Sequence, residues 1–184
     1  SFAESSFRAR RDLVLDFEAE LPEFTAVYHD GYVACLVAPR PDAVEAARVT
    51  TGTVFLVDCS ASMTGAELDV ARRVAAAMMD RLTTGTVAVM GHNLGLQTMG
   101  QAVELREKAR AVEFLSTLST AGACDLNRGV RAAMWLVPDG GEIVYMGEGT
   151  PTIGESNVAK IVAGAREAAG GKNVTFRAVA IGSD

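Results

Sequence analysis

Asp58, Ser60 and Ser62 stand at every second position of VFLVDCSASM (residues 54–63), where an apolar run gives way to a polar turn. One carboxylate and two hydroxyls in so short a stretch are oxygen donors. They suit a hard divalent ion such as Mg²⁺, which favours octahedral geometry and usually keeps some of its water. A partner's carboxylate can then complete the shell. The same three residues also make an ordinary turn, with Asp58 capping it and both serines satisfying loop backbone groups. Locally, both readings stand.

The elements that must position these groups are legible from periodicity. TVFLVD is a short apolar run of the kind that forms a central parallel strand buried on both faces. Thr64 and Glu67 have capping-box spacing, and Leu68, Ala71, Ala75, Met78 and Leu82 continue one helical face. Thr86 to Met90 is the next strand, followed by GHNLGLQTM as a turn and edge strand. VELREKARAVEFL reads as a helix, as does Cys124 to Leu136 through Leu126, Val130, Ala133 and Met134. EIVYM is a further buried strand, SNVAKIVAGAREAAGG a helix ending in glycines, and VTFRAVAIG the last strand. Alternating strands and helices predict a doubly wound α/β architecture, a mostly parallel central sheet flanked by helices. Right-handed crossovers bring the loops after the strands to one edge. Asp58 and Glu148 each follow a strand, so their carboxylates converge there, and the loop STAGACDLN can join them.

Upstream, DLVLDFEAEL and GYVACLVAPR read as two short extended segments separated by a looser EFTAVYHD. PRPDAVEAARVTTG is expected to be a loop leading into the main unit.

Three motifs in order, DCSASM, AGACDLN and YMGEGTPTIGE, resemble the von Willebrand factor A (VWA) domain, whose fold is of this Rossmann-like kind. The resemblance covers about residues 50–184 and stops short of the last helix of that fold. It implies a metal-ion-dependent adhesion site built from D-x-S-x-S, a threonine on a second loop and an aspartate on a third. Carried over, Asp58, Ser60 and Ser62 match the first loop. Cys124 stands where the threonine belongs, and Glu148 stands for the aspartate. Asp125 matches a neighbouring aspartate that holds water or a loop. The implied cofactor is Mg²⁺, or Mn²⁺ or Ca²⁺, bound weakly or not at all, because a thiol is a soft and poor partner for such ions. A closed Asp58, Glu148, Cys124 cluster points instead to Zn²⁺, but no histidine stands near in sequence. RDLVLDF and GYVACLVAPR also resemble the segment that joins a VIT domain, of the inter-alpha-trypsin-inhibitor type, to its A domain. Residues 1–49 then form an N-terminal extension or linker.

The implied function is a non-enzymatic protein-binding or adhesion module, its partner offering an Asp or Glu side chain to the ion. The alternatives are a structural domain contacting its neighbours within a larger polypeptide without metal, and a metal-assisted phosphohydrolase. For the last, no D-x-D pair, general-base histidine or phosphate-binding lysine stands beside the carboxylates. Bulk properties agree with a binding module. Apolar residues at 49% supply a normal core, while aromatics at 6% leave few stacking platforms. A net charge of −6 without a basic run argues against nucleic acid. No apolar run approaches the roughly 18 residues of a membrane span. Cys35, Cys59 and Cys124 form no CxxC pair; Cys35 and Cys59 read as small buried thiols. His92 reads as a turn residue, and Trp135 with Met134 as helix packing. The chain lacks an initial Met and stops just after a strand, so a fragment is expected. The adhesion-type site and the VIT-like segment lean towards an extracellular or cell-envelope location.

Overall fold

The computed structural model describes residues 24–29, 32–37 and 50–182. The chain divides into two units, Ser1–Ala46 and Ala47–Asp184. In the first, β1 (Phe24–His29) and β2 (Tyr32–Val37) pair as an antiparallel hairpin, with His29 opposite Tyr32. The stretch expected to be loose, EFTAVYHD, therefore supplies a strand. FTAVYH is rich in β-branched and aromatic residues, and strand propensity prevails over its weak alternation. The expected segment DLVLDFEAEL lies outside the described residues.

The second unit is built on a six-stranded sheet. Its elements are β3 (Gly52–Asp58), α1 (Gly65–Asp80), β4 (Thr86–His92), β5 (Leu96–Thr98), β6 (Val103–Glu104), α2 (Lys108–Thr117), α3 (Leu126–Leu136), β7 (Glu142–Gly147), α4 (Val158–Ala169) and β8 (Thr175–Ala180). The strand order is β5-β4-β3-β7-β8, with β6 also paired to β4. The β3–β4, β3–β7 and β7–β8 pairs are parallel; β5 and β6 run antiparallel to β4. The expected doubly wound α/β sheet is the observed one.

Strand alternation sorts the core into two layers. Phe55, Val57, Cys59, Val87 and Val89 meet α1 and α2, whereas Val54, Leu56, Ala88, Met90 and Tyr145 meet α3 and α4. The capping box starts α1 as expected: Thr64 N donates to Glu67 Oε2 at 2.6 Å and Glu67 N to Thr64 Oγ1 at 3.4 Å. Its buried stripe is Leu68, Ala71, Ala75 and Met79, with Met78 and Leu82 partly buried beside it.

Two boundaries and the burial of one side chain differ from expectation. Val103 and Glu104 form a strand and a 3-10 turn follows at Leu105–Glu107, so α2 begins only at Lys108. Cys124 lies outside α3 because Asp125 is the helix cap, its side chain accepting from Arg128 N at 3.0 Å. Trp135 is 73% exposed rather than packed. The stripe Gly129, Val130, Ala133 and Met134 is the buried side of α3, and the next residue falls about 100° further round the helix.

Candidate metal centre

Asp58 ends β3 and His92 ends β4, and the parallel register sets these two residues opposite each other. Both continue the alternation that points towards α3 and α4. Asp58 is 1% exposed and His92 fully buried. His92 is therefore a strand-end residue inside the cluster, not a turn residue. Gly129 on α3 makes room for it, since a Cβ there would lie 2.6 Å from His92 Cγ. A Cβ at Gly147, at the end of β7, would collide with Asp58 Cβ and crowd the Tyr145 hydroxyl.

The Asp58 carboxylate is fully engaged. Oδ1 accepts from Ser60 N at 2.8 Å. Oδ2 accepts from the Cys124 thiol at 3.4 Å and from the Tyr145 hydroxyl at 3.3 Å. Gly149 N in turn donates to the Tyr145 oxygen at 3.0 Å. Cys124 is buried and held by its backbone: its N–H donates to Thr152 Oγ1 at 2.8 Å, and its carbonyl accepts from Thr152 N and Ile153 N at 3.0 and 3.2 Å. Further bonds join the loops, Ala61 N to Gly122 O at 2.7 Å and Ala121 N to Cys59 O at 2.8 Å.

The expected site residues thus divide into two groups. Asp58 and Cys124 meet in a buried cluster with His92, whose candidate ligand atoms all lie within 4.8 Å of one another. Ser60 is buried and shares a 2.9 Å hydrogen bond with Ser62, which is exposed. Glu148 is exposed and stands outside that cluster. Asp125 is half-buried and caps α3, with Gly154 passing so close that a Cβ there would be 2.8 Å from its Oδ1. Reading by sequence missed His92 and Tyr145. The available signal was two strands of equal length, GTVFLVD and TVAVMGH, each ending in a polar residue.

The environment favours neutral forms of the surrounding groups. Burial, then the Asp58 charge, pushes the Cys124 thiol up to about 12. Burial also holds His92 below the usual imidazole range, with the charges of Asp58 and Asp125 opposing it. Burial, then Asp58, raises the Tyr145 hydroxyl. Among the described residues, neither ring nitrogen of His92 has a partner at full hydrogen-bonding geometry, although the Asp125 backbone lies near enough to oppose the effect of burial. Cys59 lies on the opposite face of the sheet as a buried free thiol, raised by burial to about 12.

This donor set does not fit the hard ion that the D-x-S-x-S pattern implies. A thiol and an imidazole take the inner positions, and both Asp58 oxygens already hold hydrogen bonds. An octahedral, oxygen-only shell is not what these residues offer. An apolar groove of about 520 Å³, lined by residues of α3, α4, β7 and β8, touches this region at Tyr145 and Gly149.

Residues 52–184, well over half of the chain, match the family model of the von Willebrand factor type A domain. The chain belongs to the von Willebrand factor A family. Solved structures agree on the fold of this VWA domain. BatB from Bacteroides thetaiotaomicron is 17% identical with a TM-score of 0.55, over 72% of this chain and 66% of that one. An aerotolerance-related membrane protein from Bacteroides fragilis is 16% identical with a TM-score of 0.56, over 71% and 67%. Manganese-loaded TRAP from Plasmodium vivax is 12% identical with a TM-score of 0.52, over 73% and 58%. The chain therefore spans about two thirds of the length of the two Bacteroides proteins. No curated protein sequence gives a significant match. VWA domains are characteristically non-catalytic and generally mediate protein–protein interaction. Among the described residues, no helix is long and apolar enough to cross a membrane.

Proposed function

We propose that this VWA domain binds a protein partner at the loop rim above Asp58, through a divalent cation that bridges to an Asp or Glu side chain of the partner. The supporting observation is a buried cluster of potential ligands, two of which adjoin loops that carry exposed residues such as Ser62 and Gly122. On this reading Asp58 anchors the ion, while Ser62 and Glu148 on the rim set the charge and hydrogen bonding that the partner meets. Other domains of the same polypeptide are possible sources of the acidic group.

One observation favours a second reading, a metal-free contact surface. Asp58 already has its hydrogen-bond donors, and the three loops are joined by backbone bonds, so the rim holds its shape without an ion. The two readings separate in a titration of the chain with acetyl-Gly-Asp-Gly-amide, followed by NMR, with the Asn peptide as control. Bridging predicts binding of the Asp peptide in the presence of divalent cation, lost in EDTA and in Asp58→Ala. Equal binding of both peptides, or binding unchanged by EDTA and by Asp58→Ala, removes the metal-bridged reading.

A further inference from the structure

We infer that Asp58, His92 and Cys124 form a three-ligand site for a borderline-soft divalent ion of the zinc class, with a fourth position open towards the loop rim. The inference departs from the hard-ion chemistry of the D-x-S-x-S pattern. It takes from the proposed function only the idea that a partner group fills the open position.

Four observations converge. All three side chains are 1% exposed or less. A carboxylate oxygen, an imidazole nitrogen and a sulfur are the donor types that zinc accepts, in the three-ligand arrangement that leaves one position free. Bond lengths of about 2.3 Å to sulfur and about 2.0 Å to nitrogen or oxygen set tetrahedral ligand atoms about 3.5 Å apart. The Cys124 to Asp58 separation is already 3.4 Å, and the whole set lies within 4.8 Å, so closure needs about 1 Å of side-chain movement.

The fourth observation is the imidazole itself. Buried polar groups are almost always paired, and leaving one unpaired is costly. His92 is completely buried next to a carboxylate and a thiol, and among the described residues neither ring nitrogen has a partner at full hydrogen-bonding geometry, with the Asp125 backbone near the ring. An ion in the cluster gives one nitrogen its partner. Binding replaces the Cys124 thiol proton, which leaves to solvent, and frees Oδ2 of Asp58 from the thiol. The Tyr145 hydroxyl keeps its bond to Asp58 and orients the ligand carboxylate, as outer hydrogen bonds do at zinc sites.

Co²⁺ is the probe, because a cobalt–thiolate bond absorbs in the near ultraviolet and a tetrahedral cobalt site is visibly coloured. Titrating the whole chain with Co²⁺ is expected to give both signals at one equivalent. Equimolar Zn²⁺ removes them, and a hundredfold excess of Mg²⁺ does not. Cys124→Ser abolishes the thiolate band, while Cys59→Ser and Cys35→Ser keep it. Tyr145→Phe weakens cobalt binding about tenfold. Zinc-edge X-ray absorption on the unsubstituted, zinc-loaded chain needs no variant and is expected to show one sulfur and one imidazole ligand. Absence of sulfur in that spectrum, or a thiolate band that survives Cys124→Ser, overturns the site. If the Asp peptide binds with Mg²⁺ while cobalt gives no thiolate band, the zinc-class site falls and the bridging function stands. A thiolate band without peptide binding under any ion upholds the site and removes bridging.

Discussion

The two oxygens of Asp58 serve different partners: Oδ1 shapes the turn through Ser60 N, and Oδ2 holds Cys124 and Tyr145 across the sheet edge. An asparagine does both less well: with its oxygen on Ser60 N, its amide must donate to the Cys124 sulfur, a weak acceptor, or to the Tyr145 oxygen, which already accepts from Gly149 N. In the metal-free protein, Asp58→Asn is expected to destabilise folding by about 1–3 kcal/mol, the cost of leaving buried hydrogen-bonding groups unsatisfied. Ser62→Ala, at an exposed position, should stay within about 0.5 kcal/mol. Urea unfolding of the two variants checks both values; equal effects would mean that the carboxylate does not organise the loops. At this scale the sequence disclosed Asp58, because D-x-S-x-S is local. It concealed His92, because what makes that residue matter is a position across a parallel pair, Asp58 opposite His92. Register is settled by the packing of α1 and by both strands together, and no short motif records it. Cys124 was legible as a neighbour of Asp58 only through the family resemblance, because its bond to Asp58 spans 66 residues of chain.

Elements with a sustained period were readable, and those without one were not. Leu68, Ala71 and Ala75 repeat at helical spacing and lie buried on α1, whereas the two residues of β6 are too few to show alternation and were absorbed into a helix. Element ends depend on contacts that periodicity does not encode. Arg72 of α1 donates to the carbonyls of Leu115, Ser116 and Leu118 at the end of α2. Lys172 does the same for α3, its ammonium reaching the carbonyls of Met134, Trp135 and Val137 at 3.0, 3.1 and 2.9 Å. Those carbonyls have no partners within the helix, and a cation there also complements the helix dipole. Lys172→Met keeps the aliphatic stem and should cost about 1–2 kcal/mol, measured by denaturant unfolding. Gly129 tests the contact between α3 and the site. Alanine at a helix interior normally gains about 1 kcal/mol over glycine. Here the new methyl meets the His92 ring at 2.6 Å, so Gly129→Ala should instead lose about 1–2 kcal/mol net. Combining it with His92→Ala should recover part of that loss, a coupling of at least about 0.5 kcal/mol in a double-mutant cycle.

At the scale of the whole unit, the topology explains why these groups meet at all. The helix after β3 packs on one face of the sheet, while α3 and α4, flanking β7, pack on the other. The carboxyl ends of β3 and β7 therefore flank a reversal in strand order, where α/β sheets open a crevice for ligands. Asp58 and Tyr145 stand at that crevice, His92 closes it from β4, and the loop before α3 brings in Cys124. Because these groups come from four separated parts of the chain, the assembled site exists only when the unit is folded. An ion that binds there stabilises the folded state by mass action, about 2.7 kcal/mol when present at a hundredfold over its dissociation constant. For a unit of this size that corresponds to a rise in midpoint temperature of about 5–10 °C. The rise is reduced to the extent that the unfolded chain's Cys and His residues also bind zinc. Zn²⁺ should therefore raise the melting midpoint, a chelator should restore it, and Mg²⁺ at the same concentration should leave it unchanged. Cys124→Ser should melt independently of zinc, while Cys59→Ser, whose thiol lies on the other face of the sheet, should keep the full zinc response. Scanning calorimetry of the three proteins with and without each ion decides the matter: an equal zinc response in Cys124→Ser would place the ion elsewhere on the chain.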